Sequence, residues 1–157
     1  FKIDDKGNNF KYHKLINPRK KIQPFVKKLT GINNEMLLNK PVFSDLAIEI
    51  DEFTKGSIFV AHNVNFDYRV LKKEFERINK KFKRKTLCTI ELSKKVFPDK
   101  KSYSLGKLVS SLGIVIKNRH RADGDAEATL HLFKKISKKL NTMELLRFVR
   151  DKKWKKY

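Results

Sequence analysis

The fold is decided by the stretch Ser57-Ile-Phe-Val-Ala-His-Asn-Val-Asn-Phe-Asp67. Its first five residues form a short run that is mostly β-branched and aromatic, which is typical of a strand buried on both faces of a sheet. Asn63 and Asn65 mark a turn, and the apolar spacing that follows predicts an amphipathic helix. Open α/β sheets bind their ligands beyond the carboxyl ends of the strands, so Asp67 is a candidate functional carboxylate. The alternative is structural: Asp67 offsets the helix dipole and Asn65 caps the helix.

The rest of the chain predicts an α/β domain with a mixed sheet flanked by helices. Residues 1–16 favour a hairpin that turns near Gly7 and whose second strand covers Phe10 to Ile16. Arg19 to Lys40 is expected to be loop with a short helical turn near Glu35–Leu38, and later segments alternate between helix and strand. One domain is predicted over residues 1–150, followed by a basic tail over 151–157.

Composition narrows the classes of protein and of partner. The chain has 157 residues, 39% hydrophobic residues and 12 Phe, which excludes a disordered tail. Its net charge of +21 makes a polyanion the expected partner, although an AT-rich genome also produces lysine-rich chains. No apolar run is long enough to span a bilayer, so no membrane partner is expected. A lone Cys88 fits a reducing compartment, and we expect a cytoplasmic protein.

A second segment with possible chemistry reads Asn118-Arg-His-Arg-Ala-Asp-Gly-Asp-Ala-Glu-Ala128. His120 is predicted to lie in a loop and Asp125 in the first turn of the next helix. The small residues around Asp125 allow this helix to approach another backbone closely, as a carboxylate that reaches a shared metal requires. The structural alternative pairs Asp123 and Asp125 with the helix dipole, and Asp123 is assigned to it. A third segment, Lys28–Ile32, does not by itself indicate a function.

Together these segments resemble the DEDDh (DnaQ-like) family of 3′–5′ exonucleases, and most closely the epsilon proofreading subunit of bacterial DNA polymerase III. The matching stretches occur in the family's order: Leu15-Ile-Asn-Pro18, Leu29-Thr-Gly-Ile32, Val60-Ala-His-Asn-Val-Asn-Phe-Asp67, Ser104-Leu-Gly-Lys-Leu108 and His120-Arg-Ala-Asp-Gly-Asp125. The resemblance implies a ribonuclease-H-like fold. It also implies hydrolysis of phosphodiester bonds at single-stranded DNA 3′ ends, in proofreading, with release of nucleoside monophosphates.

The resemblance also implies roles for particular residues. Asp67 and Asp125 would be metal-site carboxylates for two divalent cations, Mg²⁺ or Mn²⁺, which prefer oxygen ligands. His120 would be the general base, a role that suits an imidazole with an ordinary pKa of about 6.5. The pocket for the 3′-terminal nucleotide would be lined by His62, Phe66, Leu29 and Thr30. A replicative DNA polymerase catalytic subunit is an implied partner.

The chain departs from the family pattern at its first motif. The family's first two acids come as Asp-x-Glu on an opening strand, and we expect that strand to precede Phe1, so the domain is N-terminally incomplete as written. Asp4 and Asp5 fall in a polar hairpin turn and are poor substitutes. Two alternatives therefore stay open: an RNA-directed exoribonuclease of the same family, and a nucleic-acid-binding module that lacks catalysis because the first motif is absent.

Overall fold

A computed structural model describes residues 1–116, 118 and 120–151, and it confirms the α/β class. The predicted basic tail lies outside the described residues except for Asp151. The strands are β1 (Lys2–Ile3), β2 (Asn9–Phe10), β3 (Phe59–Ala61) and β4 (Thr86–Cys88). The helices are α1 (Pro24–Thr30), α2 (Asn34–Leu37), α3 (Phe43–Thr54), α4 (Val64–Arg77), α5 (Thr89–Val96), α6 (Leu105–Ser111), α7 (Ala122–Ser137) and α8 (Thr142–Leu146).

The N-terminal hairpin forms, but it is shorter than its sequence pattern predicts. β1 and β2 pair antiparallel with Lys2 opposite Phe10, and Gly7 takes the positive φ of 83° that the turn needs. Residues 11–16 have no regular structure, so the predicted strand from Phe10 to Ile16 is wrong beyond its first residue. The aromatic spacing reflects packing rather than a strand, because the ring of Tyr12 lies 5.5 Å from that of Phe53.

The segment predicted to be loop, Arg19 to Lys40, contains α1 as well as α2. α1 has proline in its first turn and ends at Gly31 in the left-handed conformation, which are ordinary helix start and stop signals. It buries none of its residues, so no apolar stripe in the sequence reveals it. The loop prediction is therefore wrong for Pro24–Thr30.

A parallel pair of strands divides the domain into two cores. β3 and β4 pair with Phe59 opposite Thr86, Val60 opposite Leu87 and Ala61 opposite Cys88. Successive side chains of a strand point to opposite faces. Accordingly Phe59 packs into one hydrophobic cluster and Val60 into the other. The pair thus lies between two layers of helices, and in the described part of the chain it is separate from the β1–β2 sheet.

The two clusters differ in composition. The Phe59 cluster is built from α3, α4 and the segment before β4, and its rings of Phe75 and Phe82 stack at 4.8 Å. The buried residues of the Val60 cluster are aliphatic and join β4 to α5, α6 and α7: Leu87, Leu92, Leu108, Val109, Leu132 and Ile136. Within the residues described, no helix combines the length and apolarity needed to cross a membrane.

Arg84 fixes the carboxyl end of α3 to the strand layer. Its guanidinium donates to the carbonyl of Thr54 at 2.9 Å and to the carbonyl and carboxylate of Asp51 at 2.9 and 2.5 Å. The same group lies 4.6 Å from the ring centroid of Phe82. Its side chain is only 12% exposed. Arg84 therefore adds hydrogen bonds to carbonyls in the last turn of α3, which lack main-chain N–H partners within the helix.

We expect Arg84→Met to destabilise the domain by about 2 kcal/mol, because it removes charge-assisted hydrogen bonds to half-buried groups at the end of α3. The matched control is Arg77→Met, since Arg77 pairs with Glu74 on the exposed face of α4 with 67% of its side chain exposed. That substitution should change stability by less than about 0.5 kcal/mol. Urea unfolding of both variants measures the difference, and equal losses would contradict the role assigned to Arg84.

Candidate active site

The turn between β3 and α4 places Asp67 at the carboxyl end of the parallel pair. Asn63 occupies the N-cap position of α4 with a left-handed backbone, φ 68°, and its carbonyl accepts the Phe66 N–H at 2.9 Å. Asn is one of the few residues other than glycine that adopt this conformation readily. Asn65 lies inside the helix, so its predicted capping role is wrong. Asp67 then falls in the first turn of α4, as the sequence predicts.

His62, the residue before this turn, is held by both of its ring nitrogens. Nδ1 lies 2.9 Å from the hydroxyl of Thr89 and Nε2 lies 2.7 Å from the carbonyl oxygen of Tyr103. Burial lowers the pKa of His62, and the bond to the Tyr103 carbonyl opposes that shift in part. The predicted contact of His62 with a nucleotide stays a prediction.

The second predicted segment forms the start of α7. His120 is exposed and adopts a left-handed backbone, φ 65°, two residues before the helix. Asp125 lies in the first turn and is partly buried. Gly124 and Ala128 on either side are buried, which agrees with the expectation that small residues let this helix pack closely. Arg121 occupies the N-cap position of α7, and its side chain makes no capping hydrogen bond.

Asp67 and Asp125 come from helices far apart in sequence, yet they interact electrostatically. Loss of solvation raises the pKa of Asp67, and the carboxylate of Asp125 raises it further, against the lowering by the backbone N–H of Asp67 itself. A carboxylate that only offset the helix dipole would have a lowered pKa. At Asp67, burial and the neighbouring carboxylate outweigh the backbone hydrogen bond, and a carboxyl in such surroundings is common at functional sites.

The third predicted segment joins the second through a long-range hydrogen bond. Nε of Arg121 donates to the carbonyl of Thr30 at 3.0 Å. This bond ties the end of α1 to the residue next to His120. Leu29 remains 50% exposed, whereas the Thr30 hydroxyl is used inside α1, where it donates to the Val26 carbonyl at 2.8 Å.

Phe66 supplies an exposed aromatic surface next to Asp67. The side chain is 55% exposed, and the guanidinium of Arg69 lies 6.0 Å from its ring centroid. An exposed phenyl ring beside a cation on the following turn is a surface on which a sugar or a base can pack. The predicted pocket roles of Phe66, Leu29 and Thr30 stay predictions.

The donor chemistry at Asp67 and Asp125 fits a hard divalent cation, which prefers carboxylate oxygens. Two carboxylates are fewer than a pair of such ions requires. Within residues 1–116, 118 and 120–151, no group of three or more His, Cys, Asp or Glu side chains is arranged to hold a metal. Asp67 and Asp125 are therefore candidate ligands for one cation, and the two-cation prediction stays a prediction.

Sequence reasoning missed three residues that organise this region. Arg121 follows His120 and has no predicted role, although its side chain bonds to a carbonyl 91 positions away. Thr89 and Tyr103 hold His62 from positions 27 and 41 residues further along the chain. The one available signal is Thr89 itself, a polar residue at the buried start of α5 that needs a hydrogen-bond partner.

The chain matches a known protein family. A family model described as Exonuclease (RNase_T) matches residues 1–133, which includes α1, the β3–α4 turn and the start of α7.

Similar curated proteins are 3′-5′ exonucleases named DinG. The chain is 42% identical over 135 residues to the protein of Staphylococcus epidermidis, a match that covers 85% of this chain and 15% of that protein. It is 40% identical over 144 residues to the protein of Staphylococcus aureus, covering 88% of this chain and 16% of that protein. The chain thus spans less than a fifth of the length of these relatives.

A solved structure shares the fold. Exonuclease X in complex with 5′ overhanging duplex DNA superposes with a TM-score of 0.68, at 23% sequence identity, over 85% of this chain and 78% of that chain. At this identity the likeness establishes the architecture, and the ribonuclease-H-like fold implied by the motifs is confirmed.

We expect the Asp67 carboxyl to titrate above the ordinary value of 3.8 in protein kept metal-free with EDTA. In Asp125→Asn the pKa of Asp67 should fall, because a like charge is removed. It should remain above the ordinary value, since loss of solvation is the larger cause of the shift. Carboxyl ¹³C NMR titration of both proteins measures this. An unchanged Asp67 pKa in Asp125→Asn would mean that the two carboxylates do not interact.

Proposed function

The chain belongs to the RNase_T exonuclease family, and we propose that it hydrolyses nucleic acids from their 3′ ends with Asp67, Asp125 and His120 at the reaction centre. The observation that carries this proposal is the position of Asp67 and Asp125 in the first turns of α4 and α7, where the two carboxylates interact electrostatically. The Exonuclease family model, which matches residues 1–133, includes both of these helix starts.

In the proposed site the two carboxylates would hold a divalent cation, Mg²⁺ or Mn²⁺. Such an ion, when bound, stabilises negative charge on the phosphate and on the leaving 3′ oxygen. His120 would take a proton from the attacking water, for which its exposed position before α7 leaves the ring accessible. Arg121, which follows it, keeps this segment against the end of α1.

We further propose single-stranded DNA 3′ ends as the substrate and nucleoside monophosphates as the product. Phe66 offers exposed apolar surface next to Asp67, and Leu29 offers exposed apolar surface at the end of α1 with Thr30 beside it, so a terminal nucleotide could pack on them. The net charge of +21 favours a polyanionic substrate. These observations support nucleic acid as the substrate class, and they leave RNA as an alternative substrate that the experiment below tests directly.

The more specific predictions about biological role and partner are part of this proposal. A proofreading role, close resemblance to the epsilon subunit and a polymerase partner rest on the sequence motifs alone, while the similar curated proteins are 3′-5′ exonucleases named DinG. The activity of the whole protein is likewise a proposal, because the chain matches only 15% of the length of the Staphylococcus epidermidis relative.

Digestion of a 5′-labelled single-stranded oligonucleotide tests the proposal. The protein is incubated with DNA and with RNA of the same sequence, with Mn²⁺ or with EDTA. A ladder that shortens from the 3′ end with Mn²⁺ and is absent with EDTA is the expected result. Binding without any shortening would overturn the enzyme assignment in favour of the non-catalytic alternative, and shortening of RNA alone would overturn the DNA preference.

We expect Asp125→Asn to abolish digestion while single-strand binding persists, because the substitution removes a proposed cation ligand. Asp123→Asn is the matched control: Asp123 lies in the same first turn of α7 and loses the same charge. If the carboxylates only offset the helix dipole, both variants would behave alike. Initial rates with Mn²⁺ and fluorescence anisotropy of a labelled strand provide the two readouts.

His120→Ala should lower the turnover number by about 10²–10⁴-fold near neutral pH, the usual contribution of a general base. The deficit should shrink as the pH rises, because hydroxide then replaces the water that needs deprotonation. The turnover of wild type and variant is measured across pH 6.5–9.5. A constant ratio across that range would contradict a role in proton transfer.

A further inference from the structure

His62 lies where three segments of the domain meet. It follows β3 directly and precedes the Asn63 turn that leads into α4. Its Nδ1 contacts Thr89, the first residue of α5, at 2.9 Å. Its Nε2 contacts the carbonyl of Tyr103, in the segment before α6, at 2.7 Å. One side chain therefore links the turn that carries Asp67 to the elements on the other side of the sheet.

Both of the residues that hold His62 are themselves fixed. Thr89 is fully buried at the junction of β4 and α5. Tyr103 is anchored through its hydroxyl, which donates to the carbonyls of Phe97 and Pro98 at 2.6 and 2.9 Å. Since neither partner is free to move, the position of the imidazole is determined from both sides.

The chemistry of the partners also determines the proton on the ring. A carbonyl oxygen only accepts hydrogen bonds, so Nε2 must carry the hydrogen and donate it to Tyr103. The single hydrogen of the Thr89 hydroxyl has two acceptors within reach, Nδ1 of His62 at 2.9 Å and the Ala61 carbonyl at 3.4 Å, and the shorter contact assigns it to Nδ1 of the neutral ring. Burial lowers the pKa of His62, which favours this neutral ring. Both ring nitrogens are thus used within the protein, and neither has a lone pair or hydrogen left for a substrate.

We propose that His62 is a positioning residue of the exonuclease site: through Thr89 and Tyr103 it fixes the β3–α4 turn and thereby holds Asp67 in place against Asp125. This inference rests on the proposed exonuclease function. It differs from the predicted role of His62 as a nucleotide contact, because here His62 acts through Asp67.

The decisive substitution is at Thr89, which is buried and so has no surface that a nucleotide could touch. Thr89→Val removes the hydroxyl while keeping the shape of the side chain. We expect the turnover number to fall about 10- to 100-fold through misplacement of Asp67, with KM changed by less than about twofold. Thr89→Ser retains the hydroxyl and should restore most of the turnover.

The matched control is Thr86→Val. Thr86 is equally buried, lies in the same strand-to-helix region and does not contact His62; its hydroxyl lies 3.5 Å from the carbonyl of Arg150. It should leave turnover unchanged. Thermal unfolding of each variant confirms that it is folded at the assay temperature. Equal losses in Thr86→Val and Thr89→Val would overturn the proposal, because they would reflect general loss of packing.

A double-mutant cycle with His62→Gln adds a second test. Gln can donate to the Tyr103 carbonyl but cannot accept from Thr89 with the same geometry, so its turnover should fall as in Thr89→Val. The double variant should be little worse than His62→Gln alone, since both substitutions break one linkage. A large rise of KM in His62→Gln, together with normal turnover in Thr89→Val, would overturn the proposal and assign His62 to the nucleotide.

Imidazole ¹⁵N NMR separates failure of this inference from failure of the proposed function. At pH 7 the wild-type protein should show a neutral His62 ring with hydrogen on Nε2. A ring with hydrogen on Nδ1, or a charged ring, would overturn the inference whatever the activity. If the wild-type protein shows no digestion with Mn²⁺, the proposed function fails, and the spectrum still decides whether the linkage exists.

Discussion

The pairing of β3 with β4 is the constraint on which the rest of the domain depends. Because the strands are parallel and in register, Ala61 lies opposite Cys88, and the chain leaves both strands at the same edge. α4 begins three residues after β3, and α5 begins directly after β4. The first turns of two helices are thereby brought together, which is why His62 meets Thr89 and why Asp67 lies at an edge suited to ligand binding.

Electrostatics at this edge work against stability. The pKa of Asp67 is raised in the folded chain, so folding favours the protonated carboxyl. The contribution of Asp67 to stability therefore declines as the pH rises from the unfolded value near 3.8 to the raised folded value, and it stays unfavourable above that. A fold optimised only for stability would not place a second carboxylate beside it. The arrangement is understandable if the site is organised for chemistry.

The parts of the structure that could be predicted are those encoded by local patterns. The β-branched run before His62 and the apolar spacing after Asn65 predict β3 and α4, and the small residues around Asp125 predict a closely packed helix. The errors fall where tertiary contacts decide. α1 buries no residue and its end is fixed by Arg121, and the stretch beyond Phe10 alternates because Tyr12 packs on Phe53. The partners of His62, 27 and 41 residues away, leave no local signal.

The linkages at this edge have a common physical logic. Arg121 joins α1 to the segment that carries His120, and His62 joins α4 to α5 and to the segment before α6. In each case a side chain a few residues or fewer from a proposed functional residue bonds to a main-chain carbonyl that is distant in sequence. Such a bond fixes the segment that carries the functional residue without using the functional side chain itself. Asp67 and His120 therefore stay available to bind an ion or a substrate. Precise placement on loosely exposed turns requires this kind of support, because a displacement of about 1 Å can cost about 10²-fold in rate.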